Sequence, residues 1–156
     1  MARDLTNPAV SLLLTDFTPF RLNRLAEAVS QNLSSIYRDR FGLEIPEWRV
    51  LVTVGERLDC TAQHIVLSTR MHKTRVSRAV ASLRKRKLIQ RASNSEDGRE
   101  MRLRLTKAGE RVYAVLVPLA LERERALLSC LTDSQRQNFL TGLTRFEESL
   151  ALSANE

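Results

Sequence analysis

Residues 71–105, MHKTRVSRAVASLRKRKLIQRASNSEDGREMRLRL, constrain this chain more than any other stretch. The first half places Val76, Ala79, Val80 and Leu83 at i, i+3, i+4, i+7, an apolar stripe at helical period. The opposite face carries Thr74, Ser77, Arg78, Ala81 and Lys85. Three of these are small, so that face can press close against another surface, and two are cationic. After Lys87 the apolar period drops to that of a strand. Residues 88–92 read as one short strand. Residues 93–100 read as a polar tip with Gly98 for a turn. Met101, Leu103 and Leu105 then alternate with Arg102 and Arg104, the pattern of a half-buried strand with a basic outer face. The expectation is one helix followed by a two-stranded hairpin, a wing.

Charge singles out the same segment. From residue 70 to residue 104 there are twelve Lys and Arg against three Asp and Glu, while the whole chain carries only +7. The positive charge is therefore local, which is the footprint of a polyanion-binding element rather than of general solubility. No acidic residue lies between Arg70 and Arg91 to form helix ion pairs.

The remaining chain supplies a frame for that element. From Pro19 a helix begins whose stripe runs through Leu22, Leu25, Val29, Leu33 and Ile36 to Phe41, and Gly42 stops it. It is about 35 Å long, too long for a small domain to bury its narrow stripe, so a partner helix is implied. Pro46 opens a second helix with Trp48, Val50, Leu51 and Val54. Thr61 caps a third with Ile65, Val66 and Leu67. A brief polar connection, Ser68, Thr69 and Arg70, leads into the basic helix, which makes a helix-turn-helix. Beyond the hairpin Thr106 caps a long helix with Val112, Val115, Leu116 and Leu119 inward and Pro118 as an expected kink. Thr132 to Gln135 is a capping box that opens a last helix striped by Phe139, Leu143, Phe146 and Leu150.

The fold class expected is mostly α with a small two-stranded β-wing: a winged helix-turn-helix over 43–106, flanked by dimerisation helices at 16–42 and 107–152. Two-fold pairing of the terminal helices would bury their stripes. No apolar run is long enough to span a bilayer and the first residues do not read as a signal peptide, so the expectation is a soluble, cytoplasmic protein. Cys60 and Cys130 lie far apart, and His64 and His72 lack ligand spacing, so no metal or cofactor is expected. Nucleophile–base motifs and phosphate-binding glycine loops are also missing, which argues against an enzyme and leaves no catalytic residues to name.

The order of elements, KTRVSRAVASL at 73–83, the Leu-Ile-x-Arg start of the wing at 88–91, Asp97-Gly98-Arg99 at its tip and Leu105-Thr106-Lys-Ala-Gly109 closing it together resemble the MarR family of bacterial transcriptional regulators. The resemblance covers roughly residues 20–150. It implies a homodimer built through the N- and C-terminal helices, and small-molecule effectors, often phenolic or aromatic carboxylates, that release DNA. It also implies that Arg99 enters the minor groove with Asp97 holding it. Two positions depart from the family. Lys87 stands where glycine is usual, so it must turn left-handed or the turn is built differently. His72 stands where Asp or Ser usually caps the recognition helix, so the first turn is expected to fray.

The candidate DNA-binding residues are Lys73, Thr74, Arg75, Ser77, Arg78, Arg84, Lys85, Asp97 and Arg99. Thr74, Ser77 and Arg78 face outward where a recognition helix reads bases, with Arg78 the candidate for guanine. Lys73, Arg75, Arg84 and Lys85 are placed for phosphates. Candidate effector contacts are Arg21, Arg24, Tyr37, Arg38, Trp48 and Tyr113, the arginines as anchors for a carboxylate and the rings as a wall. Each also reads as an ordinary surface charge or core aromatic. Cys60, before a helix N-terminus that lowers a thiol pKa, is a candidate oxidant sensor, and Cys130 reads as a small packing residue. The functional expectation is a ligand-responsive repressor on a pseudo-palindromic operator. A non-specific architectural DNA binder and a cysteine-based oxidant sensor stand as alternatives.

Overall fold

The computed structural model describes residues 12–92 and 102–152. Helix α1, Thr18–Phe41, begins with Pro19 in its first turn and ends at Gly42, whose φ of 59° lets its N–H reach back to the Arg38 carbonyl. Leu43 N–H bonds to the Tyr37 carbonyl at 3.0 Å, reinforcing the αL-type stop at Gly42. Only Ser34 and Tyr37 of this helix are buried. Leu22 and Leu25, nearer its start, remain 42% and 51% exposed.

Helix α2, Ile45–Arg57, is opened by a capping box in which Glu44 and Glu47 exchange side-chain and backbone bonds. Strand β1 is only Cys60–Thr61. Helix α3, Ala62–Thr69, is capped by Thr61, whose hydroxyl accepts from His64 N–H. Helix α4, Lys73–Lys85, turns Val76, Ala79, Val80 and Leu83 inward. His72 does cap it: Nδ1 accepts from Thr74 N–H at 3.3 Å. The residue expected to be a poorer cap thus still supplies one, because an imidazole nitrogen offers an acceptor at the place a carboxylate would. Lys87 takes the left-handed conformation, φ 58°, at a position where a Cβ costs roughly 1 kcal/mol.

Strands β2, Ile89–Arg91, and β3, Arg102–Leu105, follow. The sheet has three antiparallel strands in the order β1-β3-β2, with Cys60 opposite Leu103 and Ile89 opposite Leu105. The expected two-stranded wing, β2 and β3, is present, and β1 adds a third strand so that β3 lies in the middle. That position explains why Leu103 is completely buried while Arg102 and Arg104 face outward. Arg102 donates to Asp59, and this bond holds the Asp59 carboxyl below the usual carboxylate range.

Helix α5, Lys107–Leu128, is capped by Thr106 through Gly109 N–H and runs on through Pro118. Leu116 is its buried anchor, with Val112 and Leu119 half-buried. Val115, expected inside, is 45% exposed because it lies about 100° around the helix from Leu116. Helix α6, Asp133–Ser149, opens with the Thr132–Gln135 capping box and buries none of its residues. The core joins Leu43, Leu51, Val54, Ile65, Leu83, Ile89, Leu103 and Leu116, so it lies under the helix-turn-helix and sheet. Among the described residues no helix is long and apolar enough to cross a membrane.

Candidate nucleic-acid interface

Burying the four apolar residues of α4 forces its other side into solvent. Lys73, Thr74, Arg75, Ser77, Arg78, Ala81, Arg84 and Lys85 are all exposed. Among the described residues, Lys73, Arg75, Arg78, Arg84 and Lys85 form no ion pair. Five unneutralised cations on one helix leave a positive surface that only an external anion can complement. Asp97 and Arg99 fall outside the described residues.

The basic surface extends past the residues expected from sequence. At the C-terminal end of α4, Arg84, Lys85, Lys87, Arg91 and Lys107 line a groove floored by Ile89 and Ala108. The sequence placed Lys87 at the turn after the basic helix and Arg91 at the start of the wing, without counting either as a DNA contact. Lys107 starts α5 and enters the groove because Thr106 N–H bonds to the Leu88 carbonyl at 3.0 Å, folding that helix start against the wing.

A polar clamp fixes the back of α4. Ser82 Oγ donates to Glu47 Oε1. Arg86 lies 3.9 Å from Glu47 Oε2 and donates to the carbonyls of Phe41 and Gly42, the latter at 3.0 Å. Glu47 is only 12% exposed and also accepts from Glu44 N–H at 2.8 Å. One carboxylate and one guanidinium thus join the ends of α1 and α4 to the start of α2. Sequence reasoning missed this clamp; the Glu44/Glu47 capping spacing was its only visible trace.

The six candidate effector residues do not converge. Trp48 and Tyr113 line one cleft of about 430 Å³ between α1, α2 and α5, with Leu33, Val52, Val117, Leu121 and Leu127 among its walls. Tyr37 is buried against Trp48, the rings stacked 5.4 Å apart at 6°. Burial raises its phenol above the ordinary value, partly opposed by Arg49 and Arg38. Arg38 points away into an exposed pair with Glu44 at 3.0 Å. Arg21 and Arg24 line a separate shallow groove near the start of α1, where Arg24 sits over the Phe20 ring.

The cysteines also differ from expectation. Cys60 is buried, and desolvation, assisted by neighbouring Asp59, pushes its thiol up to about 11. Proximity to a helix start does not offset that burial. Cys130 is exposed rather than packed, because it lies in the turn between α5 and α6. With Cys130 replaced by Ser, Cys60 should resist a neutral-pH alkylating reagent in the native protein and react only after denaturation. Mass spectrometry follows this directly, and native labelling as fast as that of a free thiol would contradict the inert assignment.

Residues 41–100, from the end of α1 to just short of β3, match the MarR family. The described part of that segment, 41–92, carries the helix-turn-helix and the first strand of the wing. Similarity of structure reaches beyond that segment. A MarR/EmrR family transcriptional regulator from Acinetobacter sp. ADP1 shares 27% identity over 90% of this chain and 99% of its own, with a TM-score of 0.81. A MarR family regulator from Silicibacter pomeroyi DSS-3 shares 26% over 90% and 99%, at 0.75. A MarR family regulator from Listeria monocytogenes, solved with a 26mer DNA, shares 20% over 91% of each chain, again at 0.75. No curated protein sequence matches the chain. Likeness of fold thus extends over about nine-tenths of the chain, well beyond the matched segment.

Proposed function

We propose that this MarR-type protein is a sequence-specific, DNA-binding transcriptional regulator that acts in the cytoplasm as a homodimer, a repressor whose grip on a pseudo-palindromic operator is released by a small effector. The observation that carries the reading is the outward face of α4, small residues interleaved with unpaired cations on a helix held firmly from behind. Thr74, Ser77 and Arg78 read base edges in the major groove, and Lys73, Arg75, Arg84 and Lys85 bind phosphates. Asp97 and Arg99 belong to the wing's minor-groove contact by the family pattern alone. The solved DNA complex of the Listeria relative supports the use of this fold on duplex DNA. Dimerisation is supported by the apolar face of α6 that none of the described residues buries.

The test is a salt titration of binding to DNA upstream of the protein's own gene against a scrambled fragment, with native protein and Arg78→Ala. Selective binding with a steep log–log salt slope is expected. Arg78→Ala should cost roughly 1–3 kcal/mol and blunt selectivity, whereas loss of a phosphate contact such as Lys85 weakens both fragments alike. Equal binding to both fragments would favour the architectural alternative, and no binding at low salt would overturn the nucleic-acid reading.

A further inference from the structure

We propose that the cleft between α1, α2 and α5 takes a lipophilic organic cation, an aromatic or otherwise bulky apolar body carrying a positive charge, rather than an aromatic acid. This rests on the ligand-responsive reading above and names the chemical class of its effector. The cleft, about 430 Å³, is of a size that holds a drug-sized molecule. Its walls are apolar apart from two charged residues, Glu56 on α2 and Glu124 on α5. Neither carboxylate forms an ion pair among the described residues.

The guanidinium groups that would anchor an acid are engaged or turned elsewhere. Arg38 pairs with Glu44, Arg123 donates to Asn32 Oδ1 at 3.3 Å, and Arg49 lines a neighbouring groove with Ser68 and Thr69. An anionic ligand would therefore meet two like charges from two different helices and no counter-ion among the residues lining the cleft. A cation meets two carboxylates, both solvent-exposed, beside the Trp48 and Tyr113 side chains, and aromatic rings attract positive charge.

The rings are set in advance. Trp48 is stacked on buried Tyr37. Tyr113 lies directly over Gly55, where a Cβ would run into its ring. Fixed walls lower the ordering cost of binding.

Trp48 is the only tryptophan in the chain, so its emission reports occupancy of the cleft. The full-length protein is titrated with tetraphenylphosphonium and tetraphenylborate, which share a shape and differ in charge sign. The net charge of +7 favours the anion overall, so a preference for the cation must arise locally. Saturable quenching by the phosphonium, about tenfold tighter than by the borate, is expected. The double variant Glu56→Gln/Glu124→Gln, checked for folding by circular dichroism, should lose that preference. Equal or tighter binding of the borate, or an undiminished preference in the variant, overturns the cation assignment. Operator release is measured in parallel with the same two compounds. Release without quenching overturns the cleft while leaving a ligand-responsive regulator standing. Phosphonium quenching without release supports the site and counts against the regulatory reading.

Discussion

Gly109→Ala should destabilise the protein by about 3 kcal/mol or more, lowering the melting temperature by roughly 10 °C, an effect seldom produced by one added methyl group. A Cβ at this position would fall onto the Leu88 carbonyl oxygen and crowd Leu105. That oxygen is not free to move. It accepts Thr106 N–H at 3.0 Å and is approached by Thr106 Oγ1 at 3.2 Å, the two bonds that seat the start of α5 on the wing. Relief requires backbone displacement, so the N-terminus of α5 must lift from β2 and the basic groove at Lys87, Arg91 and Lys107 must open. Gly55→Ala is the matched comparison. The atoms nearest its Cβ belong to the Tyr113 ring and a Leu105 methyl, side-chain groups that yield at lower cost than backbone. Thermal melts of the two variants should therefore differ widely, and equal melting points would refute the close backbone approach at Gly109.

The second large effect is expected from Leu143→Asp combined with Phe146→Asp on α6. These residues are 40% and 55% exposed, in line with Phe139 at 41% and Leu150 at 65%. A helix of 17 residues that buries nothing has little to hold it in water, where most helical stability comes from packing an apolar face. On the homodimer reading a second copy provides that packing. Two charges per chain, four across a two-fold interface, should give a monomer in analytical ultracentrifugation. Operator affinity should then fall by ~10²–10⁴-fold, because each half-site is bound without help from the other. A dimer of unchanged affinity would place the interface elsewhere.

How far the sequence foretold this arrangement depended on the distance over which each signal acts. The stripe of α4, the alternation in β3 and the caps at Thr61, Thr106 and Thr132 are local periodicities, and each element formed where its pattern placed it. Strand β1 was invisible because its two residues have no period, and Thr61 already read as a helix cap. The Ser82–Glu47–Arg86 clamp joins residues 35 or more positions apart, and no spacing rule announces such a contact. The candidate effector arginines are dispersed for a related reason. Arg21, Arg24 and Arg38 share α1 with the cleft-lining Val29 and Leu33 but leave the helix in other directions, which only packing against α2 and α5 decides. Glu56 and Glu124, on separate helices, could not be paired in advance.

The clamp also turns α1 into a lever. Its 24 residues make a rod of about 36 Å whose last carbonyls are tied through Arg86 to the far end of α4. A tilt of about 5° about its opposite end therefore carries the attached recognition helix sideways by about 3 Å, close to the ~3.4 Å rise of one base pair. In a two-fold pair both levers swing together, so the separation of the two reading heads can change by nearly two steps of the duplex while every helix stays folded.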